Sequence, residues 1–301
     1  MTNITGDTTN FIDTRPMRAG AIPRRAKVTA ALRSIAALGY VPGIPAADRV
    51  LITDISHWNG TVDFVKMRAA GAVAFYQKAT EGISNWKDQT LDARRAAAND
   101  IDYPFGLYHF LRPYSGLAQA RLYLDKTGAD RGALYHMVDV EVPLPGWIVR
   151  EYVANIHAEL GYYPIVYTSH YCWSQVTGAE DKAWVAARCD LNAAHWNGGN
   201  SAVLIPNDWP AARMEMHQFS ANGNRRAAEF GCTGGDADID LNFARRAWYE
   251  ARVPPQTETV SLDEWAAQLD AWARGLGYRG PMPGIAIELE RLEAAVFGNG
   301  G

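Results

Sequence analysis

The stretch HMVDVEVPLPG, residues 136–146, sets Asp139 and Glu141 one residue apart in an apolar run that stops at Pro143 and Pro145. Alternate side chains of a strand share a face, so both carboxylates point the same way, their backbones roughly 6.6 Å apart at about 3.3 Å per residue. A strand that reads as buried and yet ends in two acids fits a parallel barrel, which keeps its reactive groups at the C-terminal ends of its strands. The surrounding pattern agrees. From Val50 to about Arg252, β-rich runs (VLITDI, AVAFYQKAT, FGLYHF, LYHMVDVEV, PIVYTS, AWVAA, MEMHQFS, ADIDLN) alternate at first with amphipathic stretches such as VDFVKMRAAG and QTLDARRAAAND. Length alone allows two domains or one large α/β barrel. Eight runs of this kind predict an α/β fold closed into an irregular TIM-like barrel, five helical crossovers followed by loops.

Further acids occupy the same kind of position. Asp54 closes the first predicted strand, Asp240 closes the last, and Glu81 follows the second. First and last strands become neighbours when a barrel closes, so Asp54 and Asp240 are expected side by side, with Glu81 on the same rim. Crowded carboxylates raise one another's pKa, leaving one as a proton donor near neutrality while another stays ionised. Cleavage of a glycosidic bond needs that division: one acid protonates the leaving oxygen and one carboxylate supports the charge developing at the sugar carbon. Two rivals stand beside this reading. Any single Asp at a strand end can cap a helix or accept loop amides. A cation site built from these acids with His57, His109 and His136 is the other, although neither HxH nor HExxH spacing supports it.

Composition narrows the classes. The chain has 301 residues, 48% hydrophobic and 21% charged, with a formal net charge of −4, so no global positive charge holds nucleic acid. Its three cysteines, Cys172, Cys189 and Cys232, are odd in number and widely spaced, which fits reduced thiols rather than a metal knuckle or disulfide framework. Ten Trp and fourteen Tyr supply flat rings that serve equally for sugar stacking and for core packing. No apolar run reaches the roughly 18 residues that cross a bilayer, and MTNITGDTTNFIDTR lacks the apolar core of a signal peptide. The expectation is a chain without membrane insertion or signal peptide.

Three segments are expected. Residues 1–47 form a basic arm and linker, with six basic residues against two acidic ones, a short amphipathic helix in KVTAALRSIAALGY and prolines at 42 and 45. Residues 48–252 form the barrel. Residues 253–301 form a linker and helical extension, with Ser261 and Glu264 in capping-box spacing at the start of SLDEWAAQLDAWARGLGY, and with IAIELERLEAAVF as a second helix.

The ordered series DISHWNG (54–60), QKATEG (77–82), GLYHFLRP (106–113), DVE (139–141), PIVYTS (164–169), WVA (184–186), HQFS (217–220) and DIDLN (238–242) resembles glycoside hydrolase family 25, the lysozymes of Chalaropsis type. The resemblance runs from about Asp48 to Tyr249 and leaves both tails outside. It implies a (β/α)5(β)3 barrel that hydrolyses the β-1,4 bond between N-acetylmuramic acid and N-acetylglucosamine, with peptidoglycan as partner and no metal or cofactor. Carried over by position, Glu141 is the general acid, Asp139 orients the substrate's own 2-acetamido group for a reaction with net retention, and Asp54 and Asp240 are the remaining acids of the groove. Tyr108, Tyr167, Trp184, Gln218 and Glu81 fall at substrate-contact positions. Two departures stand out: no aromatic follows closely after WVA, and His217 occupies a place where tryptophan is usual. The expected setting is a bacteriophage lytic muramidase in the host cytoplasm, reaching the wall through a holin, or a virion tail component whose terminal segments self-associate or assemble around an active or vestigial barrel.

Overall fold

A computed structural model describes residues 39–199, 202–221, 226–235 and 238–253. The helices expected in KVTAALRSIAALGY and after Pro254 lie outside the described residues, as does part of the 221–237 loop.

The chain runs β1 (Tyr40–Pro42), β2 (Arg49–Ile55), β3 (Thr61–Val62), α1 (Phe64–Ala69), β4 (Ala72–Glu81), α2 (Leu91–Asn99), β5 (Phe105–Phe110), α3 (Gly116–Thr127), β6 (Met137–Asp139) and α4 (Gly146–Leu160). It continues through β7 (Ile165–Ser169), α5 (His170–Ser174), α6 (Ala179–Ala186), β8 (Leu191–Ala194), β9 (Ala202–Leu204), β10 (Met214–Ser220), β11 (Cys232–Thr233), β12 (Asp240–Arg245) and α7 (Arg246–Glu250). Eight strands close into a barrel in the order β10-β12-β2-β4-β5-β6-β7-β8. Five crossovers carry α-helices and the later connections do not, as the alternation of patterns predicts. Side-chain caps start several of these helices: Asp63 accepts from the Lys66 amide at 3.0 Å and Ser169 from the Cys172 amide at 2.9 Å.

Three expectations need correction. AWVAA is not a strand but the end of α6, where Glu180 and Asp181 in the first turn complement the positive end of the helix. A short apolar run cannot be assigned to helix or strand by periodicity alone. The strand is instead LNAA, β8, whose Asn192 interrupts the apolar pattern. Second, Asp240 opens its strand rather than closing it. β12 runs antiparallel to both β10 and β2, so its N-terminal end meets the C-terminal end of β2, with Asp240 paired to Asp54 in register. Third, Tyr40–Pro42, read as part of a linker, pairs antiparallel with Ala202–Leu204.

Strand alternation sorts the barrel interior. Val50, Ile52 and Asp54 of β2 point in, while Leu51 and Ile55 join the helix-facing core with Phe64, Met67 and Leu91. Tyr76 fills the interior, its hydroxyl donating to Tyr135 O at 2.8 Å. Gly106 on the next strand makes room for it, since a Cβ there would stand 2.5 Å from the Tyr76 ring. Towards the C-terminal ends of the parallel strands the inward positions turn polar: Asp54, Asp139, Asn192, Gln218 and Asn242 are all buried. One end of the barrel is therefore an oil-filled plug and the other a polar mouth.

Candidate active site

Asp54 sits in the mouth with its Oδ2 accepting from Asn242 Nδ2 at 2.7 Å and from Gln218 Nε2 at 3.1 Å. The Asp240 carboxyl adds a hydrogen bond from the paired strand. Both amides are themselves held. Gln218 Oε1 accepts the Tyr167 hydroxyl and Trp196 Nε1, each at 2.7 Å, which fixes the amide with its NH2 towards Asp54. Asn242 Oδ1 accepts Asn192 Nδ2 at 2.9 Å, leaving Asn242 Nδ2 for the carboxylate. Burial raises the pKa of Asp54, and the donors pull it back in part. Asp240 is pushed up further, first by burial and then by the Asp54 charge, so Asp240 keeps the shared proton and donates it.

Across the mouth the partners are fewer. Asp139 ends β6 and is buried, and its Oδ1 has no hydrogen-bond partner among the described residues. Burial, followed by the charge of Glu141, lifts its pKa well above the usual carboxylate range. Val140 continues the ladder with its amide donating to Tyr167 O at 2.9 Å, which carries the chain out in extended form to Glu141 on the rim. Solvent reaches Glu141, yet the surrounding walls still desolvate it enough to raise its pKa, against a hydrogen bond with Tyr167 that lowers it. A raised carboxylic acid open to the groove can deliver a proton; the acid beside it can orient or support a neighbouring charge.

Glu81 reaches the same rim through a β-bulge. A regular strand would put residues 78 and 81 on opposite faces, and the register shift between Lys78 and Thr80 turns both inward. Lys78 Nζ donates to Glu81 Oε2 at 2.6 Å, and Arg112 Nε donates to Glu81 Oε1 at 2.8 Å. Burial alone would raise this acid; the two cations outweigh it and the net direction is down. Glu81 is thus a paired carboxylate, unlike the four acids of the mouth. Beside it a groove of about 550 Å³ is lined by His57, Trp58, Lys78, Trp86, Phe110 and Arg112, among others.

The structure brings Asp54, Asp139, Glu141, Asp240, Tyr108, Tyr167 and Gln218 to one mouth; the charges of Asp54 and Asp139 both act on the buried Tyr108 hydroxyl. It does not bring Trp184 there. That residue lies on the outer helix α6, its ring 5.0 Å from the Arg150 guanidinium carbon and 4.3 Å from that of Arg188. The aromatic read as missing after WVA has a counterpart in Trp196, two residues beyond β8. His217 faces away from the interior, with Nε2 2.8 Å from His195 O, and burial pushes its pKa down to about 4.

Asn192, Asn242, Trp196 and Lys78 were missed as site residues. Asn242 had a legible signal, since it shares a strand face with Asp240; Asn192 had none once its strand was assigned elsewhere. The histidines weighed as cation ligands have other partners. His109 Nδ1 lies 2.8 Å from Thr80 Oγ1 and His136 Nε2 2.7 Å from Tyr152 Oη, both beneath the helices, while His57 pairs with buried Asp88 at 3.0 Å.

Residues 53–227 match the model of Glycosyl hydrolases family 25. Lysozyme M1 of Streptomyces globisporus is 30% identical over 202 residues, 62% of this chain, and the match spans 65% of that relative's length. N,O-diacetylmuramidase of Chalaropsis sp. is 30% identical over 179 residues, 52% of this chain and 82% of the relative. Among solved structures, the bacterial lysozyme from Streptomyces coelicolor superposes with a TM-score of 0.51 at 28% identity, covering 64% of this chain and 90% of that one.

Proposed function

We propose, for a chain that belongs to glycosyl hydrolases family 25, that it is a muramidase cutting the β-1,4 bond between N-acetylmuramic acid and N-acetylglucosamine in peptidoglycan. The observation that carries this reading is the contrast between a rim acid open to solvent whose pKa desolvation raises, Glu141, and a partly unpartnered buried carboxyl, Asp139, one residue from it. In the proposed reaction Glu141 gives its proton to the leaving glycosidic oxygen. Asp139, with Oδ1 uncommitted, accepts the N–H of the substrate's 2-acetamido group and turns its oxygen towards the anomeric carbon. That oxygen attacks as the bond breaks, and water then opens the cyclic intermediate from the face the leaving group left, with Glu141 taking its proton back. The product keeps its configuration. Asp54, anchored by Asn242 and Gln218, presents fixed negative charge to the oxocarbenium-like transition state.

Digestion of purified peptidoglycan tests the proposal. The expected new reducing ends are muramic acid, formed first as the β anomer when followed by NMR. Glucosamine reducing ends, or an α anomer as first product, sink the bond assignment or the retaining route respectively.

A further inference from the structure

Among the described residues seven large apolar side chains are exposed, and six of them lie at one end of the barrel. Trp58 follows β2, Ile83 follows β4, Tyr114 follows β5, Trp147 stands in the first turn of α4 after β6, Tyr171 lies in α5 after β7, and Trp196 follows β8. These six strands are consecutive around the closed sheet, and each contributes one. Val65 on α1 is the exception. Isolated surface apolar residues need no explanation. A set that recurs once per strand along one rim, and consists of Trp and Tyr in all but one case, does.

A single glycan lying across the mouth follows one line. Side chains spread over six consecutive strands cannot all meet that one chain. Two of them sit close to the acids: Trp58 lines the groove beside Glu81, and Trp196 holds Gln218. Trp147 and Tyr171, 51% and 71% exposed, neither stack on another ring nor belong to the acid network among the described residues. We propose that this rim is a wall-facing surface, engaging sugar rings of neighbouring strands in insoluble peptidoglycan while one strand occupies the mouth. The inference rests on the muramidase reading above. Its occupant follows from continuity with the mouth, because whatever presents a bond to Glu141 is pressed against the rim. It follows also from chemistry. Indole and phenol rings offer an apolar face with a polar edge, which matches the faces and hydroxyls of a pyranose.

Co-sedimentation of the full chain with insoluble peptidoglycan, in a Glu141→Gln background that leaves the polymer intact, provides the test. Trp147→Ala combined with Tyr171→Ala should weaken that binding at least about fivefold, through lost stacking area. In the otherwise unaltered chain the same two changes should leave hydrolysis of short soluble glycan fragments within about twofold, since both residues are exposed. Unchanged co-sedimentation overturns the proposal. Equal loss on soluble and insoluble substrates overturns it too, by placing both rings in the cleft. Phosphatidylglycerol vesicles and light scattering run alongside: loss of vesicle binding or of a dimer, with wall binding retained, assigns the rim to a membrane or to a second copy. Failure of the muramidase reading shows separately, as no reducing ends from the unaltered chain, whereas co-sedimentation reads the rim without turnover.

Discussion

Two acid pairs stand three strands apart around one mouth, and they are treated in opposite ways. Asp54 and Asp240 are sewn into the barrel: two amides aim at Asp54 and a neighbouring carboxyl shares its proton. Asp139 and Glu141 are left open, with Oδ1 of Asp139 unpartnered and Glu141 standing in the solvent of the rim. Burial raises all four, so desolvation by itself assigns no roles. The partners do. A carboxylate surrounded by fixed donors is a stationary charge, whereas one lacking them keeps its hydrogen-bonding capacity for something that arrives. Glu81, held by Lys78 and Arg112 and lowered on balance, marks the other extreme.

The sharpest way to break this contrast is Glu141→Gln. Removing the rim acid placed to deliver a proton to the groove should cut hydrolysis by about 10²- to 10⁴-fold, with the fold intact by circular dichroism. Full clearing of a peptidoglycan suspension by this variant would remove Glu141 from the chemistry.

Asp139→Asn sharpens the contrast by separating function from stability. Activity should fall about 10²-fold because the amide, though it keeps an acceptor oxygen, cannot carry the negative charge that holds and polarises the acetamido N–H and can turn its own NH2 towards it. Stability should move the other way. Burial holds the Asp139 proton more tightly in the folded chain than in the unfolded one. Its protonation therefore stabilises the fold fully below the unfolded value of about 3.9, and that contribution is lost as pH rises through the raised folded value. The amide removes this dependence, so the variant should gain on the parent with rising pH, by on the order of 1 kcal/mol at neutrality. Thermal unfolding across the acid-to-neutral range reads it; a variant that loses ground towards neutrality contradicts the assignment of Asp139 as a buried carboxyl with an unpartnered Oδ1.

Asn242→Ala attacks the well-anchored side and should have the smallest effect of the three. It removes the shorter of the two amide bonds to Asp54 and leaves Asn192 Nδ2 only its weak contact with Met137 Sδ, costing about 1–3 kcal/mol of stability. Without that donor Asp54 ionises at higher pH, so the acid limb of the activity profile should shift upward while the plateau falls about tenfold. An unmoved acid limb would show that Asp54 ionisation does not govern the rate.

The closed α/β barrel, its five helical crossovers and the acids at the ends of its parallel strands were legible because strand alternation and C-terminal acids are local patterns; Asp240 was not, because it opens an antiparallel strand. The error at AWVAA had a local cause as well: five residues carry too little periodicity to separate a helix end from a buried strand, and Asn192 disguised the strand that follows. Trp184 was misplaced with it. Lys78 and Glu81 show a different limit. Three residues apart, they share a face only because a bulge shifts the register, and nothing in QKATEG announces a bulge.

By itself the amino-acid sequence determined which residues could titrate and that Asp54, Glu81, Asp139 and Glu141 would stand at or just beyond C-terminal strand ends, since a two-residue repeat is a property of the extended chain; for Asp240 it had the wrong end. Only the tertiary structure decided which acid is anchored and which is free. Asn192, Gln218 and Asn242 come from three strands, two of them more than 150 residues from Asp54 along the chain. Their amides acquire a direction only when barrel closure brings them together around one carboxylate.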